Sequence, residues 1–150
     1  MKEAIEKVRL WQVATGNPVA EVLGIPPYDR VRLRAKLMLE ETLETVGALL
    51  GIPKEQTKVF VQANNMAIDN ELDPKTDLVE VADGLADMLF VLIGTALELG
   101  IPLEPVFDEV CRSNMSKVGA PKREDGKTGK GENYSPPKIG RILSENGWAN

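Results

Sequence analysis

The run from Leu78 to Leu99 constrains this chain most. It is apolar almost all round, and Glu80, Asp83 and Asp87 share one face of it at about 100° per residue. A helix apolar on nearly every side must be covered on nearly every side, so the run predicts a buried core helix. An isolated buried carboxylate is very costly, so these acids need partners. A second run repeats the pattern. In Leu37-Met38-Leu39-Glu40-Glu41-Thr42-Leu43-Glu44, the three glutamates fall within one arc of an otherwise apolar helix. A divalent cation satisfies clustered carboxylates, and these two runs are the candidate active site.

The rest of the chain is helical in period. Residues 2–14 read as a first helix, broken at Gly16-Asn17-Pro18. The second opens near Asp29 and runs to Leu50, where Gly51 caps it and Pro53 prevents continuation. A third spans about Lys54 to Asn70. Asp73-Pro74 looks like an N-cap followed by proline at the first helical position, which starts the fourth helix and carries it to Gly100. The fifth runs from Leu103 to about Lys117. From Gly119 the chain is rich in Gly, Lys and Pro and reads as a long ordered loop, with one short helix over 138–146. No strand-like alternation occurs. The expected architecture is an all-α bundle of about five helices in one domain over 1–150, with a helical core to 118 and a loop-rich tail over 119–150.

Composition narrows the chemistry. With 18 Lys+Arg against 23 Asp+Glu, the net charge of −5 weighs against nucleic acid as the main partner. The chain has no histidine, which excludes a Ser-His-Asp triad, imidazole acid/base catalysis and a His-ligated zinc site. Cys111 is the only cysteine, so no internal disulfide forms and a reducing compartment is expected. The N-terminus lacks the apolar core of a signal peptide, and the stretch Met88–Leu97 is too short to cross a bilayer. A soluble, cytoplasmic protein is the expectation.

Each acid has a plainer reading. Glu40, Glu41 and Glu44 could form a solvated face, but Leu37, Met38, Leu39, Leu43 and Val46 leave little polar surface for one. Glu80 could be the capping-box partner of Asp77, although a start at Asp73-Pro74 sets it well inside the helix. Asp83 and Asp87 could pair with basic residues of another helix. Two acidic pairs on two apolar helices are more specific than one, and they favour Mg²⁺, which takes oxygen ligands and keeps several waters. Such ions would bridge a polyphosphate and activate a water. In the absence of histidine, the general base would be a carboxylate, and Glu40 is the candidate.

Polar groups elsewhere suggest a ligand. Asn114 and Lys117 continue the core-facing stripe of the fifth helix, although Lys117 would also suit a helix C-terminus. Lys127 and Lys130 lie among Gly126, Gly129 and Gly131, which permit close approach to a phosphate; a solvated loop is the alternative. Tyr134 could close that loop, so that residues 119–137 order over a nucleotide. Trp11 and Asn17 offer a base-stacking wall and a polar base contact, or Trp11 is simply core.

Glu40-Glu41-x-x-Glu44 followed by Glu80-x-x-Asp83 resembles the signature of the all-α nucleoside triphosphate pyrophosphohydrolases. That superfamily includes the MazG proteins, dimeric dUTPases and phosphoribosyl-ATP pyrophosphohydrolase. The similarity takes in Val8-Arg9-Leu10-Trp11, Gly16-Asn17-Pro18-Val19 and Leu33-Arg34-Ala35-Lys36-Leu37, whose Lys36 becomes a candidate substrate contact. It continues through Ala82-Asp83-Gly84-Leu85-Ala86-Asp87, Arg112-Ser113-Asn114-Met115-Ser116-Lys117 and the tail from Asp125-Gly126-Lys127 to Pro137. Trp11 and Gln12 depart from the Phe-His of many relatives, and the added Asp87 has no settled role.

The resemblance implies Mg²⁺-dependent cleavage between the α and β phosphates, with Mn²⁺ able to substitute and one to three ions per site. It implies Glu41, Glu44, Glu80 and Asp83 as metal ligands with Glu40 assisting. A homo-oligomer, dimer or tetramer, is implied as well, with sites near subunit contacts and no nucleic acid or membrane partner. The expected activity is hydrolysis of a (deoxy)nucleoside triphosphate, with dUTP, a dCTP-like pyrimidine and dGTP all open. Phosphoribosyl-ATP hydrolysis is the second reading, and a non-catalytic, metal-binding helical oligomer is the third.

Overall fold

The computed structural model describes residues 1–71 and 75–149. Among them are six helices and no named strand: α1 Lys2–Ala14, α2 Tyr28–Leu49, α3 Lys54–Asn70, α4 Leu78–Glu98, α5 Leu103–Met115 and α6 Ile139–Glu145. The all-α expectation holds, and the short C-terminal helix makes the sixth.

Three helices end the same way for the same reason. Gly16, Gly51 and Gly100 stand at φ near +65°, a left-handed conformation that costs glycine little. Each lets the next amide reach back to the helix: Asn17 N to Gln12 O (2.8 Å), Ile52 N to Gly47 O (2.8 Å) and Ile101 N to Ala96 O (2.9 Å). These are Schellman closures, which satisfy carbonyls the helix end would orphan. Pro53 and Pro102 then seed the following helices as their N-caps.

The chain divides into two compact units. In the unit Leu23–Leu78, α2 and α3 form a helical hairpin. Its tightest point is Gly47, where an added Cβ would lie 2.5 Å from Thr57 Oγ1. Both residues are buried. At the open end, the Tyr28 hydroxyl donates to Glu71 O (2.5 Å), and Arg32 donates to the same oxygen while stacking on the Tyr28 ring. The start of α2 therefore meets the end of α3, and the two run antiparallel.

In the other unit, α1 packs on α5 and α5 on α6. Lys7 Nζ pairs with Asp108 (2.7 Å), and Trp11 Nε1 donates to Asn114 O (2.9 Å). Residue numbers rise together across this contact, so α1 and α5 are parallel.

Two expectations for α4 need correction. The Asp73-Pro74 start lies outside the described residues, but Lys75, Thr76 and Asp77 are not helical and the helix opens at Leu78. Asp77 thus precedes the helix and Glu80 sits in its first turn, the spacing a capping box uses, rather than deep inside. Nor is α4 buried: Phe90 is 80% exposed, Leu97 76% and Val91 64%, and Ala96 is its one buried residue. The apolar surface that should cover it does not come from α1, α5 or α6. No helix among the described residues is long and apolar enough to cross a membrane.

Candidate active site

The acidic residues lie on the two helices that the sequence indicates. On α2, Glu40 is half-buried, and Glu41 and Glu44 are exposed. On α4, Glu80, Asp83 and Asp87 are all exposed. Helical spacing puts each set on one arc of its own helix. The two helices belong to different compact units. Among the described residues, no three acidic or cysteine side chains gather closely enough to hold a metal ion. Exposure also removes desolvation as the reason these acids need a cation. What remains is the donor set itself: carboxylate oxygens at one-turn spacing, with neither histidine nor a cysteine pair. That set suits Mg²⁺ or Mn²⁺ and excludes most softer metals.

Lys36, one turn before Glu40, reaches across to α3. Its ammonium pairs with Asp69 Oδ1 at 2.5 Å, which fastens the hairpin and orients the lysine away from a free role. Thr42, inside the acidic segment, turns its hydroxyl back to Met38 O (2.8 Å).

The remaining candidates gather where α1, α5 and the tail meet. Trp11 is half-buried with its indole N–H satisfied by Asn114 O, as given above, so it ties α1 to α5. Asn114 Oδ1 accepts from Lys117 Nζ at 2.7 Å. Asn17 donates to Thr15 Oγ1 (2.8 Å), and its Oδ1 accepts from Lys122 Nζ (2.7 Å). Lys117 and Lys130 both approach the Tyr134 ring, with ammonium-to-centroid distances of 5.8 and 4.8 Å. Cations are drawn to an aromatic face in this way. Lys127 belongs to a small hairpin in which Arg123 N donates to Lys127 O (2.8 Å) and Lys122 bridges to Thr128.

Two glycines make that turn possible. A Cβ on Gly129 would lie 2.7 Å from Pro121 O, and one on Gly131 would lie 3.2 Å from Ala120 Cβ. Residues 129 and 131 face the returning chain, so Lys130 between them projects outward and is exposed. The Gly-Lys-Gly sequence is thus a packing requirement on one side and a displayed charge on the other.

Several contributors escaped the sequence reading. Arg112 and Glu109 on α5 form a bidentate pair at 2.8 Å for both bonds, and Glu109 also accepts from Lys138 N (2.8 Å). Arg112 donates further to Pro136 O (3.0 Å). These bonds hold the Glu109 carboxyl far down, at about 2. Glu109-x-x-Arg112 is legible as an i,i+3 pair, but nothing local indicates that residues 135–138 would join it. A crevice of about 330 Å³ between α1 and α5 is lined by Lys7, Leu10, Asp108, Cys111, Arg112 and Met115. Its charges are already paired, and burial pushes the Cys111 thiol up.

A family model described as phosphoribosyl-ATP pyrophosphohydrolase matches residues 25–114, more than half the chain and including both acidic motifs. No curated protein and no solved structure matches the chain. The chain is therefore a hydrolase of the pyrophosphohydrolase kind, and it belongs to the phosphoribosyl-ATP pyrophosphohydrolase family within the MazG-like all-α nucleoside triphosphate pyrophosphohydrolases.

Proposed function

We propose that the chain hydrolyses a nucleoside triphosphate between its α and β phosphates, releasing the nucleoside monophosphate and pyrophosphate. One observation carries this reading: both acidic pairs, Glu41 with Glu44 and Glu80 with Asp83, stand at one-turn spacing inside the matched segment. Those four carboxylates would hold Mg²⁺, or Mn²⁺ in its place. The bound ion supplies charge neutralisation at the phosphates and a more acidic water. Glu40, half-buried on the arc of Glu44, accepts the proton of the attacking water. As water oxygen bonds to phosphorus, the bridging P–O bond breaks and pyrophosphate leaves. Lys117 and Lys130 hold the phosphates, and Trp11 and Asn17 flank the base.

A homo-oligomer belongs to the same reading. The exposed apolar side chains of α4 need a cover from outside their unit, and a second copy of α4 offers a matching surface.

A second reading, hydrolysis of phosphoribosyl-ATP, is favoured by the description of the matched family. The two readings share bond and chemistry and differ in what lies beyond the α phosphate. Pyrophosphate release from a panel of deoxynucleotides, ribonucleotides and phosphoribosyl-ATP, with Mg²⁺ or Mn²⁺, separates them. Release from phosphoribosyl-ATP alone selects the second reading, and release from no member overturns both.

A further inference from the structure

The tail beyond residue 114 lies outside the family match, so its role must be read from its own contacts. Several of its bonds converge on one point of α5. Glu109, whose side chain is only 14% exposed, takes both Nε and Nη2 of Arg112, and its Oε1 also takes Lys138 N. The same Arg112 Nη2 also donates to Pro136 O at 3.0 Å. One turn on, Ser116 Oγ donates to Ser113 O (2.6 Å) and accepts from Ser135 N (2.9 Å). Three residues of the tail, 135, 136 and 138, are thereby fastened to one face of α5 and its C-cap. Tyr134 immediately precedes the fastened segment, and it is the residue whose ring lies beside both Lys117 and Lys130.

We infer that Arg112 and Glu109 are positioning residues, which latch the tail to α5 so that Lys117 and Lys130 form one two-ammonium site for the phosphates of a nucleotide. The inference rests on the nucleotide reading above. Two ammonium groups brought near one ring repel each other, and the Tyr134 face lowers that repulsion only partly. An anion placed between them removes it, and a phosphate chain carries enough charge to engage both. Released from the latch, Tyr134 would move with residues 135–138 and leave both ammonium groups behind, Lys117 in the turn that follows α5 and Lys130 on the hairpin packed against Ala120 and Pro121. The site would then lose the aromatic face that draws its two charges together, without the loss of a single lysine.

The test uses the full chain and inorganic tripolyphosphate without added metal, followed by calorimetry. Arg112→Lys keeps the charge and loses the fork that binds Glu109 and the tail together. It should weaken tripolyphosphate binding about tenfold, as Glu109→Gln should, since both break a charge-assisted bidentate bond. In turnover, the same variants should raise KM and leave kcat within about twofold, because the acids of α2 and α4 are untouched. Hydrogen exchange should speed at amides 134–138 in both. Lys58→Ala, which breaks the exposed Lys58–Glu55 pair on α3, is the control and should change none of these.

Unchanged tripolyphosphate affinity in folded Arg112→Lys and Glu109→Gln overturns the latch, as does a wild type that does not bind tripolyphosphate. A fall in kcat with constant KM also overturns it, since that places the effect on chemistry rather than on phosphate binding. If wild type binds tripolyphosphate through the latch but releases pyrophosphate from no nucleotide, the nucleotide reading fails and the anion site stands.

Discussion

Single carboxylates decide the chemistry proposed for this protein, and isosteric changes test them one at a time. Glu44→Gln and Asp83→Asn each remove one ligand charge at nearly constant volume. Both side chains are exposed, so neither change leaves a cavity. Turnover with excess Mg²⁺ should vanish in either variant while the melting temperature stays at or above that of the wild type, because clustered acids repel one another. Near-normal pyrophosphate release in either would exclude the metal set. Glu109 makes a different prediction. Its two donors hold its carboxyl at about 2, below the ordinary 4.5. A carboxyl lowered on folding adds stability above its unfolded value, and that contribution is lost as pH falls from about 4.5 towards 2. Amide protection over 134–138 should therefore decline across that window in the wild type. In Glu109→Gln it should be weaker at neutral pH and nearly flat with acid.

At the scale of elements, the hairpin of α2 and α3 turns on one close approach. Gly47→Ala adds a methyl group 2.5 Å from Thr57 Oγ1, with Thr57 Cγ2 and Cβ already in van der Waals contact at 3.4 and 3.5 Å, so buried Thr57 must leave its present rotamer to admit it. The intrinsic helix preference for Ala over Gly is up to about 1 kcal/mol, and overpacking of this kind costs about 1–3 kcal/mol. The net expectation is a loss of about 1–2 kcal/mol by thermal or urea unfolding. In a Thr57→Ala background the obstruction is gone, and the same Gly47→Ala change should become neutral or stabilising. The loop turns depend on context in a comparable way. Gly-Ile-Pro occurs at 24–26, 51–53 and 100–102. Only the second and third follow a helix, and only there does the glycine take a positive φ and close a Schellman turn.

For the whole molecule, α4 sets the question of assembly. Full burial of a side chain such as Phe90, Val91 or Leu97 is worth about 1.5–3 kcal/mol, and the unit that holds α4 forgoes it at all three. Sedimentation at micromolar concentration should give a dimer or tetramer. Phe90→Asp, at an 80% exposed position, should shift it to monomer with the α1–α5 and α2–α3 packing intact. A wild-type monomer would contradict the proposed assembly.

The helices themselves were legible because their causes are local. Apolar spacing, Gly16, Gly51 and Gly100, and the prolines after two of them act over four or five residues. The acids on α2 and α4 were legible for the same reason, since i,i+3 and i,i+4 spacing alone sets a shared helix face. Contacts across long separations were not: Lys36 with Asp69, Trp11 with Asn114, and the Glu109–Arg112 pair with residues 136 and 138. Periodicity states that a face exists and not what covers it, so α4 read as core although its own unit leaves it exposed. Two local signals of similar strength compete for the start of that helix, Asp73-Pro74 and Asp77 with Glu80, and the structure begins it at Leu78. Local sequence determined which segments are helices and which carboxylates line up. Tertiary packing decided which lysines are tied down, which are displayed, and where the tail is fastened, because those outcomes depend on groups that meet only once the chain has folded.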